Sequence, residues 1–168
     1  MSTSTTDAVT SSAIPSSHSP GPSGTDTNAP VEWWPIAPSE AITEQDVERY
    51  TQGACDALAF TVSQRTGWPV VLCGDGPGGV MGWVHAAVRR PDGRILDVEG
   101  LWDEMGWVMH WGEQADGMGH DLDGYDGDDV WVYPAAECGV HGHEHPAVIA
   151  ADAERVADIL LAEFGPGL

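Results

Sequence analysis

The sequence contains no lysine: all six basic residues are arginine, against 27 aspartates and glutamates, and the formal net charge is −21. Such a chain should repel the phosphate backbone of nucleic acids and anionic membrane surfaces. A neutral or basic protein or peptide is the easier partner. We attribute the missing lysine to biased codon usage; the alternative is that an enzyme joining acyl groups to lysine would avoid modifying itself.

Signals for export and for membrane insertion are also missing. Residues 1–30 are rich in Ser, Thr and Pro, without the apolar stretch of a signal peptide or the arginines of a transit sequence. No apolar run reaches roughly 18 residues, so no membrane span is expected. We therefore predict a disordered tail at 1–30, a single domain at 31–168 and a cytoplasmic location, with non-classical export left open.

Cysteine is scarce, and the three cysteines are Cys55, Cys73 and Cys138. An odd count at wide spacing argues against a disulfide framework and for a reducing compartment. Cys73 ends an apolar run, which indicates a position in the core. Cys55 and Cys138 are therefore the cysteines with a candidate chemical role.

Two runs of the sequence predict the arms of a β-hairpin. Residues 83–90 lead into Pro91-Asp92-Gly93, and residues 95–99 lead out of it. Proline suits the first position of a type I turn, and glycine accepts the left-handed conformation that closes the loop. The sequence therefore favours a three-residue loop over a two-residue one.

The loop length decides which way Asp97 faces. With a three-residue loop, Asp97 lies opposite Ala87, on the same face as His85 and diagonal to it. With a two-residue loop, Asp97 lies opposite Val88 and points away from His85. An Asp–His hydrogen bond is thus predicted only for the three-residue loop.

A cysteine lies at the start of a helix that precedes this hairpin. Residues 43–50 open with a capping-box pattern and predict a short helix, and a second helix is expected at 54–66. Cys55 then falls in the first turn, where unpaired backbone N–H groups and the macrodipole favour a thiolate. The same amides, together with Gln52, could stabilise an oxyanion.

Residues 43–100 resemble the papain-like and transglutaminase-like superfamily of cysteine enzymes. The resemblance is carried by GACDALA at 53–59, by His85 and by LDVEG at 96–100. That superfamily places a cysteine at a helix start, then a histidine and an aspartate or asparagine on successive antiparallel strands. The resemblance implies that Cys55 is the nucleophile, His85 the base and Asp97 the group that orients the imidazole.

Two features depart from the pattern of this superfamily. Asp56 replaces the Trp or Gly that often follows the nucleophile, and its negative charge near the thiol would oppose thiolate formation. His85 follows Cys55 by only 30 positions, which suits a compact transglutaminase-like or toxin-type domain. A catalytically inert relative that acts as a binding or structural module is therefore the alternative function.

The rest of the chain supplies elements around this centre. Short apolar runs at 70–73 and 130–133 predict two more strands, and residues 146–164 predict an amphipathic C-terminal helix. We therefore expect an α+β fold. In it, the helix bearing Cys55 packs on a small antiparallel sheet of about four strands, and the C-terminal helix covers the sheet.

Two segments between the hairpin and the last strand have less regular patterns. Residues 101–111 lack a clean period and suggest one short helix, on which Trp107 and Trp111 could line a substrate groove, although core packing is favoured. Residues 116–129 hold six aspartates among glycines but fail the spacing of a calcium loop. A solvated acidic loop is expected there.

A second candidate site precedes the C-terminal helix, in the segment CGVHGHEH at 138–145. Cys138, His141, His143 and His145 are soft or borderline ligands that could hold zinc, copper or nickel. Their spacing matches neither a zinc finger nor a helical His-Glu-x-x-His site, so an exposed loop is favoured. A metal-binding protein is the third candidate function.

The function that the sequence favours is cysteine-dependent acyl chemistry on a protein or peptide amide, by hydrolysis, deamidation or transamidation. Cys55, His85, Asp97 and Gln52 are the predicted catalytic residues, and no cofactor is expected. The predicted partner is a neutral or basic protein or peptide. The sequence does not indicate an oligomeric state.

Overall fold

The computed structural model describes residues 34–74, 83–117, 131–142 and 144–165. The predicted disordered tail at 1–30 lies outside the described residues, as do His143 and most of the predicted acidic loop. Among the described residues, no helix combines the length and the apolar character that crossing a membrane requires.

Four α-helices and five strands are formed within these ranges. The helices are α1 (Glu44–Thr51), α2 (Cys55–Thr66), α3 (Glu104–Gly117) and α4 (Ala147–Phe164). The strands are β1 (Val70–Gly74), β2 (Trp83–Arg89), β3 (Ile95–Asp97), β4 (Gly100–Trp102) and β5 (Trp131–Pro134), and a 3₁₀ helix at Ala135–Cys138 follows β5.

The strands form one sheet in the order β4-β3-β2-β1-β5, and every neighbouring pair is antiparallel. The predicted α+β class, with an antiparallel sheet and a C-terminal helix, is confirmed. Helices α2 and α4 supply side chains to an apolar core that includes Leu72, Val88 and Leu96. A second, smaller core lies around Val71 and Ala87, with side chains from α3.

The first helix begins where the capping box predicts. The hydroxyl of Thr43 accepts the N–H of Asp46, and the carboxylate of Asp46 accepts the N–H of Thr43. Arg155 of α4 also binds Asp46 and Asp152, and Arg49 of α1 binds Asp152. These contacts fix α1 against α4, and α1 leads directly to the turn before α2.

The prediction that residues 95–99 form one strand is wrong at its C-terminal end. Strand β3 ends at Asp97, and the chain turns sharply before β4 begins at Gly100. Gly100 has φ 127°, and a Cβ there would lie 2.2 Å from the carbonyl oxygen of Ile36. Glycine therefore permits both the turn and the close approach of Ile36, which forms a β-bridge with Leu101.

The helix predicted within 101–111 also has different bounds. It begins after Asp103, whose carboxylate accepts the N–H of Gly106 at 2.9 Å, and it continues to Gly117. A side-chain cap of this kind satisfies an amide that would otherwise lack a partner at the helix start. The first residues of the predicted run belong instead to β4.

The β2–β3 hairpin has the register predicted for a three-residue loop. Val88 pairs with Leu96, so Ala87 lies opposite Asp97. Gly93 closes the loop with φ 88°, the left-handed conformation that glycine adopts without strain. Asp97 is therefore placed on the face of the sheet predicted for it.

Candidate active site

Helix α2 begins at Cys55, one residue after the predicted start, so Cys55 lies in the first turn as predicted. The turn that precedes it contains Gly53 at φ 127°, and Ala54, the residue before the helix, has no side chain that can cap it. The first backbone amides of α2 therefore lack a side-chain cap, and they carry the positive end of the helix macrodipole. The thiol lies beside them, and Cys55 is only 5% exposed.

His85 and Asp97 come together through the hairpin. The Nε2 atom of His85 lies 3.3 Å from Oδ2 of Asp97, and the two side chains are 1% and 2% exposed. Although this distance is short, neither ring nitrogen of His85 has a partner in hydrogen-bond geometry among the described residues. We therefore treat this contact as a close electrostatic pair.

The structure brings Cys55, His85 and Asp97 to one place. All three line a cavity of about 10 Å³, which has room for at most one water molecule. Burial alone would lower the pKa of His85, but negative charge on Cys55 and Asp97 outweighs burial and raises that pKa to about 9. Nε2 faces Asp97, and Nδ1 has no hydrogen-bond partner among the described residues.

Three tryptophans surround the carboxylate of Asp97. The indole Nε1–H of Trp102 donates to Oδ1 at 2.9 Å, and that of Trp107 donates to Oδ2 at 2.8 Å. Trp111 adds a longer contact to Oδ2 at 3.4 Å, and the backbone N–H of Glu99 donates to Oδ1 at 2.9 Å. Both oxygens of Asp97 are therefore occupied by donors from three different segments.

The imidazole of His85 is also held by aromatic rings. Trp111 stacks on it, with ring centroids 3.6 Å apart and an interplanar angle of 12°. Trp107 lies tilted at 5.9 Å. The ring plane of His85 is thus fixed by two residues that also contact its carboxylate partner.

Asp97 is ionised in spite of its burial. Burial raises the pKa of this carboxyl, but His85 and the indole donors Trp102 and Trp107 more than offset burial and hold the pKa below its ordinary value. A buried carboxylate that accepts several hydrogen bonds is a stable anion. Such an anion can hold a neighbouring imidazolium.

Asp56 does not face the thiol as an isolated charge. Its Oδ2 lies 3.0 Å from Nε2 of His145, in the segment that leads into α4. Asp56 is buried, whereas the side chain of His145 is 17% exposed. The charge that the sequence placed next to the nucleophile is therefore engaged by a histidine.

The fourth predicted catalytic residue lies outside this buried cluster. Gln52 follows α1 and is exposed, in a surface groove of about 440 Å³ that it shares with Arg49 and Ala54. The groove reaches the residue that precedes Cys55. Gln52 is therefore close to the start of α2 along the chain but does not line the cavity that contains the thiol.

The predicted metal ligands are not assembled in the described part of the chain, where no group of three His, Cys, Asp or Glu side chains is arranged to hold an ion. His145 contacts Asp56 instead. Cys138 ends the 3₁₀ helix and is partly buried, and His141 is exposed. His143 lies outside the described residues.

The other two cysteines have different surroundings from Cys55. Burial raises the pKa of the Cys73 thiol to about 12, as expected for a cysteine in the core. Burial and the nearby charge of Glu137 raise the pKa of Cys138. Among the three cysteines, Cys55 is the one that lines a cavity with an imidazole.

Comparison with models of known protein families, with curated proteins and with solved structures finds no match to this chain. The function is therefore inferred from the geometry of the site.

The tryptophan contacts to Asp97 were not predicted from the sequence. The spacing of Trp107 and Trp111 does place both on one helix face. A buried indole N–H needs an acceptor, and Asp97 is a carboxylate on a buried strand. This requirement was the signal that could have linked the tryptophans to Asp97.

Proposed function

We propose that the protein carries out cysteine-dependent acyl chemistry on a protein or peptide amide, with Cys55 as nucleophile, His85 as base and Asp97 as the residue that orients the imidazole. The observation that carries this proposal is that a buried imidazole lines the same small cavity as a thiol at a helix start and lies 3.3 Å from a buried carboxylate. Nucleophile, base and orienting group in this arrangement are the usual parts of an activated cysteine.

The first half of the reaction follows from these positions. His85 takes the thiol proton of Cys55, and the sulfur attacks the carbonyl carbon of the amide to form a C–S bond. The uncapped amides at the start of α2 stabilise the oxyanion. Gln52 precedes them in the chain but lies outside the cavity that contains the thiol. The imidazolium then protonates the leaving nitrogen as the C–N bond breaks, which leaves a thioester.

The second half depends on the acceptor. Water or an amine attacks the thioester, His85 removes a proton from it, and the C–S bond breaks with return of the proton to the sulfur. Water gives hydrolysis or deamidation, and an amine gives transamidation. Asp97 remains ionised throughout and stabilises the imidazolium in both halves.

The charge of the chain supports a basic or neutral protein or peptide as the substrate. A net charge of −21 raises the local concentration of cationic partners and disfavours nucleic acid. We infer a reducing compartment, the cytoplasm, because the three widely spaced cysteines are all free and form no disulfide framework. Cys55 is almost fully buried, so a substrate reaches it only after a local movement near the start of α2.

The test is the rate at which iodoacetamide labels each cysteine, measured peptide by peptide by mass spectrometry near neutral pH. Cys138 is the internal reference, because it is more exposed than Cys55 but its pKa is raised. We expect Cys55 to react faster than Cys138 despite its burial. His85→Ala should slow Cys55 at least about tenfold and leave Cys138 unchanged.

Cys55→Ala serves as the control for peptide assignment, because the label at that peptide must vanish. If Cys55 reacts no faster than Cys138, or if His85→Ala leaves its rate unchanged, the proposal fails. Circular dichroism of each variant establishes that the fold is retained.

The burial of all three side chains supports a second candidate, an inert relative that serves as a binding or structural module. In that case the His85–Asp97 pair is a satisfied polar centre in the core and needs no substrate access. Protection of Cys55 from iodoacetamide in folded protein, with full labelling in denaturant, would favour this module over the enzyme.

A further inference from the structure

We propose that Trp102, Trp107 and Trp111 are positioning residues, whose indole N–H groups hold the carboxylate of Asp97 toward His85. We call these three residues the tryptophan cage. The proposal deepens the proposed function and rests on it, since positioning matters for catalysis only if His85 is a base. The geometric claim can be tested without any catalysis.

The cage fixes the rotation of the Asp97 carboxylate. Trp102 and the Glu99 amide bind Oδ1, whereas Trp107 and Trp111 bind Oδ2. Turning the carboxyl group would break donors on both sides at once. Oδ2 is therefore kept 3.3 Å from Nε2 of His85, although that contact itself lacks hydrogen-bond geometry.

The members of the cage come from separate elements. Trp102 ends β4, and Trp107 and Trp111 lie one turn apart on α3, which packs against the sheet face that carries Ala87. Trp107 and Trp111 are almost completely buried. A strand and a helix therefore supply the indole donors, and placing a site on such elements favours its preorganisation.

Trp111 has a second contact in the cage. Its ring stacks on the imidazole of His85 at 3.6 Å, so the plane of the base is fixed along with its partner. Besides Asp97, the titratable groups near His85 in the described structure include Cys55 of α2, Cys73, its partner on β1, and Tyr50 of α1, which lines the same cavity. Helix α3 presents indole rings to His85.

The test is a pH titration of the His85 side chain by NMR in the full chain, with the resonance assigned by its loss in His85→Gln. Trp107→Phe removes one donor and keeps an aromatic ring. We expect the pKa of His85 to fall by about one unit or more, because Oδ2 of Asp97 loses its shortest indole donor and is held less firmly toward Nε2. Trp102→Phe should act in the same direction.

The matched control is Trp68→Phe. Trp68 is also buried, but it lies in the core formed with α2 and α4, and its ring faces Arg90. This control should leave the titration of His85 unchanged. The cage is overturned if Trp107→Phe and Trp102→Phe leave the pKa of His85 unchanged or raise it.

A measurement on the wild-type chain covers the case in which a tryptophan variant does not fold. The indole N–H resonances of Trp102 and Trp107 should shift with the titration of His85, and the Trp68 resonance should not. The proposal would be overturned if the indole N–H resonances of Trp102 and Trp107 did not shift as His85 titrates. Because neither readout requires a reactive thiol, failure of Cys55 to label leaves this test intact.

A second variant tests whether the cage demands a carboxylate. In Asp97→Asn, the amide NH₂ would face indole or backbone donors whichever way it is turned. We expect the unfolding equilibrium constant to rise at least about tenfold. Asp103→Asn is the control, since Asn caps a helix as well as Asp does and should change this constant little. Equal effects at the two positions would overturn the requirement for a carboxylate.

Discussion

Two buried aspartates belong to or adjoin the predicted catalytic centre: Asp97 is part of it, and Asp56 follows Cys55 in the chain. Each contacts a histidine, yet their surroundings differ. Asp97 and His85 are both sealed in the core, and Asp97 accepts hydrogen bonds from indole groups. Asp56 is buried, but its partner His145 is 17% exposed and lies in the segment before α4. The same pair of residue types thus occurs once inside the core and once at its edge.

The difference shows that the same pair of residue types, aspartate and histidine, has different properties in the core and at its edge. The inner pair keeps a charged carboxylate in an apolar environment, which is stable only because many donors compensate for lost hydration. The outer pair gives the carboxylate next to Cys55 a hydrogen-bond partner and joins α2 to the segment that enters α4. The inner pair has the surroundings that the proposed catalysis would need, and the outer pair connects α2 to the segment before α4.

The largest expected difference between the two pairs is in the free energy of unfolding when each carboxylate is removed. Asp97→Ala leaves several buried donors and His85 without a partner, so we expect a loss of about 3–5 kcal/mol in the free energy of unfolding. Asp56→Ala should cost about 1–3 kcal/mol, because its histidine can reach solvent. Denaturant unfolding gives both values, with the exposed loop residue Asp92→Ala as a control below about 1 kcal/mol. An equal or larger cost at Asp56 would contradict the distinction.

The second contrast is the dependence of stability on pH. The folded-state pKa of His85 is raised from 6.5 to about 9, so its stabilising contribution is complete below pH 6.5 and is lost as pH rises through about 9. We expect a loss on the order of 1–3 kcal/mol over this window, measured by denaturant unfolding at each pH.

Two variants serve as controls for this pH dependence. His85→Gln should abolish the loss between pH 6.5 and 9, and Cys55→Ala should reduce it, because the cysteine is one cause of the raised pKa. A wild-type slope that survives in His85→Gln would show that another group is responsible.

The register that joins His85 and Asp97 could be predicted because it depends on local chemistry. Proline and glycine in the loop at 91–93 select a three-residue turn, and alternation then places Asp97 on the face of His85. The start of α2 at Cys55 followed from local signals as well. Turn and helix-start preferences of this kind depend on a few neighbouring residues, so the local sequence predicts them.

The tryptophan cage and the outer pair could not be predicted in the same way. Trp107 and Asp97 are ten positions apart, and Asp56 and His145 are 89 apart. Their contacts depend on how α3 and α4 pack on the sheet, and no local pattern specifies that packing. The extra strand β4 was missed because its turn depends on the close approach of Ile36 to Gly100.

The third contrast concerns the two histidines and the reactivity of Cys55. His85→Gln should slow labelling of Cys55 by iodoacetamide at least about tenfold, because the base is lost. His145→Gln removes a partner of Asp56 but leaves His85 in place, so we expect a change of at most about threefold. Labelling rates measured at the Cys55 peptide, with Cys138 as reference, decide this. A larger effect at His145 would assign the base to the outer pair.

The smallest effects are expected at two glycines that support the two pairs. Gly93 closes the hairpin of the inner pair, and Gly139 lies in the segment that leads to His145; both have positive φ and open space where a Cβ would stand. Alanine at either position should cost about 1 kcal/mol through backbone strain alone. The labelling rate of Cys55 should remain that of the wild type in both variants.

The reason for this last expectation is that buried faces, in addition to the loop, hold the hairpin register. A slip of one residue would move Asp97 and Ile95 off the face packed against α3 and expose apolar surface, which costs far more than a strained turn. If Gly93→Ala slows Cys55 as much as His85→Gln does, while Gly139→Ala does not, then the loop itself fixes the register. The inner pair would then depend on its turn more than on its core.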